Sequence, residues 1–294
     1  MQFNFQPGFT AVNVGWDEAT GCIGHIVLNR PNKSNAFNSA IWREFPAAVR
    51  LLQQREEIRV LVISAAGKNF CAGLDLSYLS DTFGSKMQPS SSSSSSSSCP
   101  ARMRYTFRQD ILQMQEAFTV LEQCRFPVIV AVQGACVGAG VDLITAADLR
   151  YCSQDAYFSV KEVDLAITAD LGTLQRLPSI IGHGAAAELA LTARELPAAE
   201  AALLGLVSKA YSSTPELMEA VMQLAAQIAA KSPLAVAGTK AVLLHTRDHG
   251  AAGGGVAGGL AHVALWNSAF LLSGDMQELL AARQARRQPL FSKL

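Results

Sequence analysis

The sequence predicts an α/β core followed by a helical C-terminal region. Short β-branched runs alternate with helical stretches over the first two-thirds of the chain, and the strand signal disappears after about residue 212. With 294 residues, half of them hydrophobic, the chain can bury one large core, or a core and a smaller appendage. The expected division is an α/β unit over residues 1–211 and a helical region over 212–294.

The elements follow from local pattern. Ala11–Val14, Cys22–Leu28, Arg59–Ile63, Val128–Val132 and Leu149–Cys152 carry the β-branched, apolar character of buried strands. Helical spacing of apolar residues predicts helices over Ser39–Gln54, Arg104–Gln123 and Ala139–Ala147, so strands and helices alternate in βαβ-like units. Beyond them Thr214–Ala230, Leu234–Leu244, Val256–Leu272 and Met276–Arg286 read as helices. Gln88-Pro89 and the nine serines Ser90 to Ser98 interrupt the core; a polar homopolymer buries too little apolar area to offset its entropy. Residues 88–100 are therefore expected to be a disordered surface insertion without chemistry.

Lysine plus arginine equals aspartate plus glutamate, 24 each, which argues against nucleic acid or an anionic membrane as the main partner. The six cysteines show no CxxC pairing, as in a reduced intracellular protein. No basic residue precedes Arg30, so neither a presequence nor a signal peptide is expected. The apolar run VIVAVQGACVGAGVDLITAA, residues 128 to 147, is broken by Gln133, Asp142 and clustered glycines; it reads as strand, turn and helix, not a membrane span. The chain ends RQPLFSKL, and Ser292-Lys293-Leu294 is a peroxisomal address read by an import receptor.

Two motifs point nowhere. Gly253 to Gly258 fits GxGxxG but follows a helical stretch near the C-terminus, and an interhelix loop is expected instead of a dinucleotide site. His245 and His249 are four apart, but without HExxH or a third ligand no metal site is expected.

The stretch VKEVDLAITAD, residues 160 to 170, sets Glu162, Asp164 and Asp170 among apolar residues, with Asp142 upstream. Buried carboxyls have raised pKa values and can work as acids and bases near neutral pH. Two small-residue turns follow strands, GKNFCAGLDL (67–76) and GACVGAGVDL (134–143). Each can present a backbone N–H, and two converging on one oxygen stabilise an oxyanion.

FCAGLDL, GACVGAGVDL, CSQDAYFSVKEVDLAITADLGTLQRLPSIIG and the earlier NRPNKSNAFN together resemble the enoyl-CoA hydratase/isomerase (crotonase) superfamily. The resemblance runs from about Gly24 to about Lys209 and more loosely beyond. It implies a crotonase-like ββα spiral core with a helical C-terminal trimerisation region, and an oligomer that is a trimer or a hexamer. It also implies an acyl-CoA thioester substrate and no separate cofactor. Carried over, the oxyanion donors are the backbone N–H groups of Ala72 and Ala139, with Gly73, Gly138, Lys33 and Lys68 contacting the substrate or its CoA. The acyl pocket is expected from the region after Leu76 and the helix near Phe107–Phe118.

Hydratases of the family carry glutamate at the positions of Asp142 and Glu162. An Asp142, Glu162, Asp170 set is instead similar to the branch that isomerises 3,5-dienoyl-CoA to 2,4-dienoyl-CoA. That branch implies Glu162 at carbon 2, Asp170 at carbon 6 and Asp142 beside them, in unsaturated fatty-acid β-oxidation. Which acid serves which carbon stays open. Asp142 could alternatively cap a helix or pair with Arg150, Asp170 could cap the helix after Gly172, and Asp164 is expected to partner Arg150 or Arg176. Asp75 is expected to hold the first turn. A hydratase, and a non-catalytic binding scaffold, are the competing readings. The terminal address implies a peroxisome or a related organelle such as a glycosome.

Overall fold

The computed structural model describes residues 1–79, 99–250 and 252–294. Most of the serine insertion lies outside the described residues. Strands β1 (Phe3–Phe5), β2 (Val12–Asp17), β3 (Ile23–Leu28), β4 (Val60–Ala65), β5 (Val128–Val132), β7 (Leu149–Ser153) and β10 (Ala210–Tyr211) form one sheet in that spatial order. The first three pair antiparallel and the remainder parallel. A second, three-stranded sheet contains β6 (Ala135–Val137), β8 (Tyr157–Ser159) and β9 (Leu196–Pro197).

Strand parity explains the two-sided burial that the apolar runs predict. Leu61, Ile63, Val128, Val130 and Val132 point into a large core shared with α1 (Ser39–Gln53) and α3 (Pro100–Glu122), where Phe37, Phe45 and Phe118 meet edge to face. Their alternates Val60, Val62, Ile129 and Ala131 face α8 (Thr214–Ala229) on the other side of the sheet. Leu217, Val221, Ala225 and Ala229 recur every four residues, so α8 lays one stripe across that face. Covering both faces is what a parallel sheet requires.

The remaining elements are α2 (Leu76–Leu79), α4 (Ala139–Thr145), a 3-10 turn over Glu162–Leu165, α5 (Thr173–Ile181), α6 (His183–Thr192), α7 (Ala198–Leu203), α9 (Pro233–His249), α10 (Gly255–Phe270) and α11 (Gly274–Gln284). Lys240 of α9 is buried and anchors the C-terminal helices to the core. Its ammonium donates to the carbonyls of Leu121 and Phe126 and pairs with Asp148 at 2.8 Å. Expected and observed elements agree to within a few residues, apart from α9, which runs on to His249. The short strands β1, β6, β8, β9 and β10 and the helices α2, α6 and α7 are additions. GxGxxG divides between the end of an interhelix loop and the first turn of α10, because Gly255 already begins the helix. No described helix is long and apolar enough by itself to cross a membrane.

Candidate active site

The two turns abut because the segment before each is paired to the other. Cys71 N–H donates to Ala135 O and Val137 N–H to Cys71 O, both at 2.9 Å, so residues 70–72 run along β6. Asparagines fix the approach. Asn35 donates to the carbonyls of Ala66 and Asn69, and Asn69 accepts from Ala135 N–H. Asp75 accepts from Arg30 and Ser77, the structural role its motif suggests.

The donors of the first turn differ from the expectation. Ala72 N–H is already spent on Ser34 O at 2.9 Å, so it is not an oxyanion donor. Phe37 N–H takes Gly73 O and Phe37 O takes Asp75 N–H, a parallel bridge that turns the N–H of Leu74 to the opposite side. Leu74 lines a cavity of about 310 Å³. Among the described residues its N–H has no hydrogen-bond partner. Ala139, the first residue of α4, lines the same cavity with its N–H also unpartnered, as the first amides of a helix are. Among the described residues, Leu74 and Ala139 therefore offer two free N–H groups to the cavity.

Glu162 opens the 3-10 turn and lines the cavity with only 9% of its surface exposed. Its Oε2 has no hydrogen-bond partner among the described residues. Burial pushes its carboxyl up to about 7, and repulsion from Asp142 and Asp170 adds to the rise. Asp170 lines the same cavity, and partial burial raises its pKa as well.

Asp142 behaves differently. It is 1% exposed, lies outside the cavity lining, and accepts from the Thr173 N–H at 2.8 Å and hydroxyl at 2.7 Å. Burial raises it to about 6 against those hydrogen bonds. Asp142 thus caps α5, the task that Asp170 was a candidate for, and it does not pair with Arg150. Arg150 donates to the carbonyls of Leu206, Ile144 and Ala147. Asp164 pairs with Lys161 at 2.6 Å, not with Arg150 or Arg176.

Gly138 shows how tightly the site is built. Its φ is +51°, and a Cβ there would lie 3.3 Å from Glu162 Oε1. Gly138→Ala is expected to lower turnover at least about tenfold by displacing the carboxylate, and to cost about 1 kcal/mol of stability. Steady-state kinetics and thermal melting of the variant check both.

Away from these polar groups the cavity is apolar, walled by Trp42, Leu76, Phe107, Ile111, Met114 and Ile167. It is suited to an acyl chain, as the region after Leu76 and the Phe107–Phe118 helix predict. Gly73 and Gly138 line it; Lys33 and Lys68 are exposed and do not. Trp42, Leu74 and Lys161 are lining residues that the sequence reading missed. His245, His249 and the unanticipated His262 of α10 stack with ring centroids 4.2 and 3.8 Å apart. No group of side chains able to hold a metal occurs among the described residues.

Known proteins bear on this geometry. The sequence model of the family described as enoyl-CoA hydratase/isomerase matches residues 18–97 and 102–253. A peroxisomal Delta(3,5)-Delta(2,4)-dienoyl-CoA isomerase of Arabidopsis thaliana is 51% identical over 270 residues, 92% of each chain. A mitochondrial Delta(3,5)-Delta(2,4)-dienoyl-CoA isomerase of Homo sapiens is 44% identical over 274 residues, 92% of this chain and 79% of that one. Among solved structures, an enoyl-CoA hydratase from Bacillus anthracis superposes with a TM-score of 0.81 at 27% identity, covering 96% of this chain and 99% of that one.

Proposed function

The chain belongs to the enoyl-CoA hydratase/isomerase family, and from that footing we propose that it isomerises 3,5-dienoyl-CoA to 2,4-dienoyl-CoA in unsaturated fatty-acid β-oxidation. The observation that carries this reading is the division among the acids. Glu162 and Asp170 line the cavity, whereas Asp142 is withdrawn behind it as a helix cap. A hydratase using the Asp142 and Glu162 positions would need the carboxylate at 142 to face a water in the cavity.

The chemistry follows from the donors present. A thioester carbonyl oxygen held by the N–H groups of Leu74 and Ala139 acidifies the protons on carbon 2. Ionised Glu162 takes one of them, and the electron pair spreads through the diene and onto that oxygen. Protonated Asp170 gives its proton to carbon 6, leaving the 2,4-diene. The product has the same formula as the substrate, and exchange with solvent returns Glu162 and Asp170 to their starting protonation. No electron transfer is involved, so the step calls for no redox cofactor. Two carboxyls serve because the proton sites are four carbons apart, too far for one.

Lys33 and Lys68 are proposed to meet the CoA phosphates from their exposed positions on the segments that hold the first turn. Self-association as a trimer or hexamer is proposed through the C-terminal helices. Support comes from α10, which buries none of its residues and exposes Val256, Leu260 and Leu265 by 62–81%. A peroxisomal or glycosomal location is proposed from Ser292-Lys293-Leu294. Lys293 pairs with Glu57 at 2.8 Å, an exposed ion pair of the weak kind that an import receptor can open.

The test compares a 3,5-dienoyl-CoA with a 2-enoyl-CoA. Appearance of the conjugated 2,4-dienoyl product, faster than hydration of the enoyl thioester, is expected. Faster hydration would point to the hydratase, and inactivity on both to a binding scaffold.

A further inference from the structure

Asp170 stands on a turn between the 3-10 segment and α5, and one face of α3 holds that turn. Gln115 Nε2 donates to Asp170 O at 2.6 Å. Thr119, one turn further along α3, accepts from Arg176, and Glu122 pairs with Arg176 at 2.7 Å. Arg176 in turn donates to Leu171 O. Residues 115, 119 and 122 are spaced four and three apart, so they share one helix face. The turn is packed closely against them. Gly172 has φ +124°, and a Cβ there would fall 1.8 Å from the Arg176 guanidinium.

We infer that Gln115, with the Glu122–Arg176 pair behind it, is a positioning device that fixes where the Asp170 carboxyl sits along the acyl chain. The inference rests on the role given to Asp170 above. Gln115 does not touch the reacting atoms. It lies next to Met114 and one turn from Ile111, which wall the cavity, so one helix both receives the acyl chain and holds the acid that must find carbon 6. Glu162 is carried by the preceding 3-10 turn, and among the described residues no hydrogen bond joins it to Gln115. Loss of the clamp should therefore disturb one end of the proton transfer and spare the other.

The experiment follows two rates in deuterium oxide with a 3,5-dienoyl-CoA: solvent exchange at carbon 2 and formation of the 2,4-diene. Gln115→Met removes the donor at nearly constant length. It should slow diene formation about tenfold to 100-fold while exchange at carbon 2 stays within about twofold. Glu122→Gln, which loosens Arg176 by a different route, should produce the same split. In an Asp170→Asn background Gln115→Met should add less than about twofold, because the group it positions is gone. Equal slowing of both rates, or no slowing in either single variant, would overturn the inference. A fully active Asp170→Asn enzyme would overturn the role of Asp170 and the inference with it. A crippled Asp170→Asn beside an unaltered Gln115→Met would overturn the inference alone.

Discussion

Asp170→Asn is expected to lower turnover of 3,5-dienoyl-CoA by about 10²- to 10⁴-fold, the range that a positioned general acid contributes. KM should change little. The apolar wall formed by Phe107, Ile111 and Met114 is untouched, and the amide fills nearly the same volume. Asn keeps the hydrogen-bonding shape of the carboxyl but has no proton to deliver to carbon 6. The Gln115 bond to the residue 170 carbonyl is a backbone contact and survives the substitution. A rise in KM with kcat unchanged would assign Asp170 to binding instead.

Glu162→Gln is expected to have an equally large kinetic effect while raising stability above pH 7. The base proposed for the carbon 2 proton is lost, so kcat should again fall by about 10²- to 10⁴-fold. Because the base must be ionised to act, the wild-type rate should decline as pH falls through about 7, where burial has moved this carboxyl. The same burial is a cost to the fold. A carboxyl raised from 4.5 to about 7 contributes its full share of stability below the unfolded value, and that share is lost as pH rises through 7. Above pH 7 the ionised side chain therefore costs up to about 3 kcal/mol, with no hydrogen bond to Oε2 among the described residues to offset it. The inactive Gln variant should melt a few degrees above wild type near pH 8, and the difference should shrink toward pH 5. Thermal melts of both proteins at the two pH values test this; a Gln variant less stable at pH 8 would contradict it.

The fold was largely legible because its strands are long apolar runs. Val128–Val132 coincides with the expected strand, and Ser39–Gln53 differs by one residue at its end. What escaped was short or non-local. Phe3–Phe5 and Tyr157–Ser159 are three residues each, too few for a period to register. Helix α3 begins at Pro100, four residues before the periodic signal, since proline suits the first position of a helix.

At the site, residue identity was legible and hydrogen-bond allocation was not. Glu162 and Asp170 stand where the acid pattern suggested, around one cavity. The first-turn donor was displaced from Ala72 to Leu74 because Ser34, 38 positions upstream, claims the Ala72 N–H. Asp142 became a cap because Thr173, 31 positions on, presents both an N–H and a hydroxyl to it. Neither partnership leaves a trace in local sequence. Both decide which groups remain free to act on a substrate, and satisfied groups drop out of the chemistry.

In the proposed mechanism one proton leaves carbon 2 to Glu162 and another reaches carbon 6 from Asp170. The mechanism is tested most directly by incubating 3,5-dienoyl-CoA with each variant in deuterium oxide and locating the label by NMR. Substrate recovered from Asp170→Asn should carry deuterium at carbon 2 with little product formed, and substrate recovered from Glu162→Gln should carry none. Unlabelled substrate from Asp170→Asn together with labelled substrate from Glu162→Gln would contradict the assignment.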